Sequence, residues 1–213
     1  MFHYILRQPT IKADNPKALL LLHGYGSNEQ DLFSFAGQLP NDLLIISVRA
    51  PYNLSFGGHA WYDIYLDAQN NKVSDNLQAL ESLEKLSQFI DLLIDKYNID
   101  KQNFNLLGFS QGAILSYALA FNYPEKINRV IVLSAYINEE IMPQKIINEK
   151  LSHLNFFISH GKYDEVIPIE AARQIPPYLD KHNVKYSYNE YPMGHEVSMA
   201  CFEDMRQWIG NNL

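Results

Sequence analysis

Residues 103–122 read NFNLLGFSQGAILSYALAFN, an apolar run that stops at Gly108, turns at Ser110 and resumes as a helical pattern. The run 104–109 has the length and flanks of a buried parallel strand. Ala113, Ile114, Leu115, Ala118, Leu119 and Phe121 then make a helix that is apolar nearly all round. Between strand and helix stands GxSxG, formed by Gly108, Ser110 and Gly112. Glycine suits both flanks, because a nucleophile on a tight turn holds a strained backbone and side chains two residues away would strike the neighbouring packing. The helix start aims free N–H groups at the serine, where the charge of an oxyanion would develop. GxSxG by itself recurs by chance; the strand before it and the buried helix after it mark Ser110 as a candidate nucleophile.

Outward from this unit, strands and helices alternate. Residues 2–7 fit an edge strand, and 18–22 form a continuous apolar run, a central strand that empties into HGYGS at 23–27. Ser27 or Asn28 is placed to cap a short helix reaching Leu39, and 43–48 (LLIISV) is a further buried strand. Residues 52–72 form a long loop rich in aromatics, among them Phe56, Trp61, Tyr62 and Tyr65; loops of that length in a compact domain are commonly functional. From 74 to 97, Leu77, Leu80, Leu83, Leu86, Phe89, Ile90, Leu93, Ile94 and Tyr97 recur at spacings of three and four, an amphipathic helix. Beyond the central unit, 130–133 and 154–159 read as strands, 168–182 as a helix starting at Pro168, 185–191 as a strand and 197–209 as a helix. The pattern predicts an α/β fold with an open, mainly parallel sheet, helices on both faces and ligands beyond the carboxyl ends of the strands.

With 213 residues, of which 47% are hydrophobic, one domain spanning 1–213 is expected. A net charge of −7 without a basic cluster gives nucleic acid no electrostatic footprint. A single cysteine, Cys201, cannot form an internal disulfide, and no stretch approaches the ~20 apolar residues of a membrane span. The expectation is a cytoplasmic protein acting on a small molecule, without integral membrane association; a homodimer is left open.

Three predicted strand ends carry polar groups, at 23–27, 110–111 and 160–164, and a fourth loop, 193–196, holds His195. A serine hydroxyl needs a base near neutral pH, and the base needs a carboxylate to fix its tautomer. Ser110, Asp164 and His195 follow one another in the chain order used by α/β-hydrolases. Each has a plainer role to set beside this one. Asp164 could cap the helix near Pro168, with Glu165 next to it as the alternative acid, and His195 could cap the last helix. His23 and His160, each before a glycine, suit loop support by hydrogen bonding, and His3, His59, His153 and His182 show no local pattern. No two histidines have metal-ligand spacing on one element, so neither metal nor cofactor is expected.

HGYGSNEQDL, GFSQGA, HGKYDEVIP and YPMGHEV, in this order, resemble the phospholipase/carboxylesterase family of α/β-hydrolases, which includes the acyl-protein thioesterases. The resemblance covers nearly the whole chain. It implies the α/β-hydrolase fold, Ser110, Asp164 and His195 as the triad, and the backbone N–H groups of Tyr25 and Gln111 as the oxyanion hole. AWYDI at 60–64 is similar to a segment near the family's substrate groove, which adds Trp61 and Tyr62 to Phe56 and Phe109 as substrate-binding candidates. Leu107, Ala113 and Glu165 depart from the thioesterase pattern and move the likeness toward bacterial carboxylesterases. The function this implies is a cofactor-free serine hydrolase of small to medium acyl esters working through an acyl-enzyme. Acyl-protein thioesterase or lysophospholipase activity is the alternative, and a non-catalytic ligand-binding protein on a hydrolase fold is the rival from another class.

Overall fold

The computed structural model describes residues 1–69 and 72–213. In chain order the first half contains β1 (Tyr4–Arg7), β2 (Lys17–Leu22), α1 (Gln30–Phe33), β3 (Leu43–Val48), β4 (Tyr52–Asn53), β5 (His59–Ala60), β6 (Ile64–Leu66), β7 (Lys72–Ser74) and α2 (Asn76–Tyr97). The second half contains β8 (Phe104–Phe109), α3 (Gln111–Asn122), β9 (Arg129–Leu133), α4 (Asn148–Leu151), β10 (Asn155–Gly161), α5 (Ile169–Ala172), α6 (Ile175–Lys181), β11 (Lys185–Tyr191) and α7 (Met199–Asn212). Among the described residues one sheet has seven strands, in the order β1-β3-β2-β8-β9-β10-β11. Only its edge strand β1 runs antiparallel, with Tyr4 opposite Val48.

The apolar runs are continuous because both faces of the sheet are covered. Leu20, Leu22, Ile46, Leu106, Val132 and Phe156 face one layer, packed with residues of α2, α3 and α6. Leu19, Leu21, Ile45, Leu107, Ile131 and Phe157 face the other, against Leu32 of α1 and Cys201, Phe202, Met205 and Ile209 of α7. α3 is the helix at the centre, buried from Gln111 through Phe121. Each fully buried leucine of such a helix stabilises the fold by roughly 1.5–3 kcal/mol over an exposed one. That burial gives the turn before α3 a rigid base.

The outer elements differ from the sequence reading in four places. The helix predicted to reach Leu39 is a single turn, α1, followed by a 3₁₀ turn at Ala36–Gln38. Asn28 Oδ1 does accept the Gln30 N–H at 2.8 Å, while Ser27 Oγ donates to Asp31 instead. The helix predicted over 168–182 is divided into α5 and α6, because Pro176 and Pro177 have no N–H to give to the preceding turn; they sit in the first turn of α6, where none is needed.

The expected loop 52–72 holds two short antiparallel ladders, β4 with β5 and β6 with β7; its Asn70 and Asn71 lie outside the described residues. α2 begins at Asn76, where Asp75 caps it by accepting the Gln78 N–H, and its Leu77 and Leu80 point outward rather than onto the sheet. Among the described residues no helix is long and apolar enough to cross a membrane.

Candidate active site

The turn between β8 and α3 is built by close approach. A Cβ on Gly112 would lie 2.1 Å from the Leu22 carbonyl oxygen, and one on Gly108 would lie 2.6 Å from the Ala113 nitrogen, so neither position has room for a side chain. Between them Ser110 takes φ 52° and ψ −118°, a left-handed conformation that a non-glycine residue holds only when its surroundings impose it. The imposing contacts are its N–H, bonded to Leu133 O at 2.9 Å, and its carbonyl, which accepts from Ala113 and Ile114 as α3 begins.

Two adjacent loops bring the other groups. β10 and β11 pair in register from Asn155↔Lys185 to Gly161↔Tyr191, and the pairing continues past the strands with Lys162 N–H on Tyr191 O and Tyr163 N–H on Met193 O. Asp164 and His195 follow at once on the two loops. His195 Nδ1 donates to Asp164 Oδ2 at 2.7 Å, which leaves Nε2 to accept the Ser110 hydroxyl at 2.9 Å.

The other oxygen of Asp164, Oδ1, accepts the N–H groups of Val166 and Ile167, each at 2.9 Å. The carboxylate therefore organises its own loop and also holds the histidine. Glu165 is exposed, and the cap of α7 is Ser198, not His195. Such an array can take a proton from the serine, hold it on the imidazole and return it to a leaving group.

His160 and His23, both fully buried, brace the loops on either side. His160 Nε2 donates to Ile167 O at 2.8 Å and stands 3.4 Å from Asp164 Oδ2. His23 Nδ1 donates to Gly24 O at 2.7 Å, and its Nε2 accepts the Ala50 N–H at 3.0 Å. Burial lowers the pKa of both rings and keeps them neutral.

The His23 loop abuts Ser110, since a Cβ on Gly24 would lie 3.4 Å from Ser110 Cβ and 3.1 Å from the Phe109 ring. Within it Gly26 N–H goes to His59 O and Ser27 N–H to Gly24 O, and the first satisfied amides of α3 are those of Ala113 and Ile114. Among the described residues the Tyr25 and Gln111 amides thus have no backbone acceptor.

The substrate-binding candidates separate into two groups. Phe109 is half-buried with its ring 4.9 Å from that of His195, and Phe56 is 72% exposed with its ring 6.3 Å from that of Tyr25. Tyr163 and Val166, on either side of Asp164, add exposed apolar surface that the sequence reading passed over. Trp61 and Tyr62 are not part of a groove wall. They are 0% and 1% exposed, packed into the core on the α2 and α3 side of the sheet, because the β4–β5 ladder turns the chain inward at Ala60.

Gln111 is also tied inward: its side-chain Oε1 accepts the Trp61 N–H at 2.8 Å and its Nε2 donates to Tyr62 O at 2.7 Å. A polar side chain beside the serine of such a turn gives no sequence signal for these partners. Among the described residues no group of three His, Cys, Asp or Glu could hold a metal ion.

A family model described as Phospholipase/Carboxylesterase matches residues 9–213. Acyl-protein thioesterase 1 of Kluyveromyces lactis is 29% identical over 173 residues, covering 78% of this chain and 75% of the relative. A carboxylesterase of Arabidopsis thaliana is 26% identical over 208 residues, covering 92% and 90%. Among solved structures, the Bacillus cereus carboxylesterase superposes with a TM-score of 0.87 at 22% identity, covering 100% of this chain and 95% of that one, a likeness of fold.

Proposed function

The chain belongs to the phospholipase/carboxylesterase family, an ester-hydrolysing enzyme by that membership, and we propose that it cleaves small to medium acyl esters through Ser110, His195 and Asp164. The observation that carries the reading is the unbroken line from Asp164 Oδ2 through His195 to Ser110 Oγ, with contacts of 2.7 and 2.9 Å. In this reading Ser110 Oγ attacks the ester carbonyl carbon while its proton passes to His195 Nε2, and Asp164 stabilises the imidazolium. The carbonyl π electrons become an oxyanion facing the Tyr25 and Gln111 amides. Collapse of the tetrahedral species expels the alcohol, which takes the proton from His195. Water then repeats the attack on the acyl-enzyme, with His195 again as base, and releases the acid.

The apolar rim of Phe56, Phe109 and Tyr25 supports an acyl chain over a charged substrate. A thioester would follow the same steps with a thiol as leaving group, and the fungal acyl-protein thioesterase relative favours that as the second reading. A cytoplasmic setting suits Cys201, a free buried thiol that burial pushes up to about 11. The test is labelling of the native protein by a fluorophosphonate probe, read by intact mass. One adduct that Ser110→Ala abolishes is expected; an unlabelled native protein refutes the proposal.

A further inference from the structure

We infer that Trp61 is a positioning residue for the oxyanion hole, joining the two separate chain segments that present the Tyr25 and Gln111 amides; this rests on the oxyanion assignment proposed above. Those amides come from the loop after β2 and from the first residue of α3, and no covalent connection fixes their spacing. Trp61 contacts both segments. Its indole Nε1–H donates to His23 O at 2.9 Å, two residues before Tyr25. Its backbone N–H and the following carbonyl, Tyr62 O, engage both ends of the Gln111 side-chain amide.

Two further contacts anchor the residue. Its own carbonyl accepts the Ser82 hydroxyl at 2.5 Å, which ties the assembly to the second turn of α2. Its ring is fully buried, with centroids 5.5 Å from the His23 ring and 6.0 Å from that of Phe2. Both polar atoms of the Gln111 side chain are engaged in this way, so Gln111 offers substrate its backbone amide alone. Donors aimed at a developing charge act through their fixed placement, and small displacements are costly to the transition state while leaving ground-state binding nearly unchanged. The buried bonds of Trp61 supply that fixity.

The experiment compares three variants in the full chain. Trp61→Phe removes the indole donor, Gln111→Met removes both side-chain bonds while keeping the backbone amide, and Ser82→Ala removes one hydroxyl on α2. Each is assayed for kcat and KM on p-nitrophenyl butyrate. Each is also titrated with an alkyl trifluoromethyl ketone, whose carbonyl carbon bonds to Ser110 Oγ to give a tetrahedral oxyanion, and with the matching methyl ketone, which binds without forming that adduct.

Trp61→Phe and Gln111→Met are expected to lower kcat about tenfold, with KM within about twofold, and to weaken the trifluoromethyl ketone by the same factor while sparing the methyl ketone. Ser82→Ala should show the same pattern at about threefold, and it decides the matter if a larger change fails to fold. Folded variants with unchanged kcat, or losses shared equally by KM and the methyl ketone, overturn the inference. A native protein that neither turns over the ester nor takes the fluorophosphonate overturns the proposed function, and this inference with it.

Discussion

His195 Nδ1 lies 2.7 Å from Asp164 Oδ2 across two loops that extend neighbouring strands, and the same carboxylate receives the Val166 and Ile167 amides on its other oxygen. Asparagine at 164 would present an N–H where an acceptor is needed and would disturb the histidine tautomer. Asp164→Asn is expected to lower kcat by about 10³ to 10⁴. Glu165→Gln, at an exposed neighbour, should leave kcat within about twofold. Steady-state kinetics on one p-nitrophenyl ester decides between them, and the reverse ranking moves the acid to Glu165.

Ser110→Ala should lower kcat by on the order of 10³ or more. It removes the hydroxyl bonded to His195 and almost no volume, and the turn is held by backbone bonds that alanine retains. The thermal midpoint should stay within a few degrees of the parent, so lost activity with an intact melting transition is the outcome to look for.

Gly112→Ala should be poorly tolerated for a different reason. The added Cβ would sit 2.1 Å from Leu22 O and 2.7 Å from His23 O, backbone atoms that cannot rotate away. Overpacking of this kind costs about 1–3 kcal/mol or more, measurable as a lower urea midpoint at unchanged m-value. A variant as stable as the parent would mean that β2 and α3 can separate, which would spoil the site as well.

Stability should fall with acid in two windows. His23 and His160 have folded-state pKa values lowered by burial, so they are neutral in both states above about pH 6.5. Below that value the unfolded chain takes protons the folded one refuses, and stability declines. Glu29 has its carboxyl held down at about 2 by the two-pronged Arg49 guanidinium, with both contacts at 2.6 Å. Its contribution is present above about pH 4.5 and is lost as pH drops toward 2. Urea midpoints between pH 7 and pH 2.5 would register both slopes. Glu29→Gln should reduce the second, to which Glu81 and Glu190 also contribute, and leave the first, and an unaltered acid slope in that variant would contradict the account.

Substrate preference should follow the apolar rim. Each CH₂ buried against Phe56, Phe109 and Tyr25 is worth roughly 0.8 kcal/mol, so kcat/KM should rise by up to about fourfold per carbon from acetyl toward butyryl or hexanoyl esters. Phe56→Ala should flatten that rise and, as Phe56 is 72% exposed, should not destabilise the protein. An acetyl optimum with no response to Phe56→Ala would place the acyl chain elsewhere.

The strands could be read from the chain because both faces of the sheet are apolar, which turns buried strands into unbroken runs such as 18–22 and 43–48; even the more polar β11 falls on 185–191. That Ser110, Asp164 and His195 meet on one rim could be read for the same reason, since each follows the end of a strand; that they form a catalytic triad is the proposal above. Trp61 and Tyr62 were misread because an aromatic residue in a long loop has the same local sequence whether it turns toward solvent or toward the core. Only the ladder of Tyr52 with Ala60 decides it, and a two-residue pairing leaves no periodic trace. Pro176 and Pro177 are the breakers at which the helix expected over 168–182 divides, since neither has an N–H to give to the turn before it.

The order of the strands also sets a timetable. The turn at Ser110 lacks one of its holding contacts until β9 has been made, since Leu133 O accepts the Ser110 N–H; Asp164 follows β10, and His195 comes later still, after β11. Synthesis proceeds from the N-terminus at about 5–20 residues per second, so a growing chain carries Ser110 for several seconds before His195 exists. With Ser110 acting through His195 as proposed, its hydroxyl stays dormant until the loop after β11 is made, and a chain that stalls earlier leaves an inert fragment in place of a stray esterase.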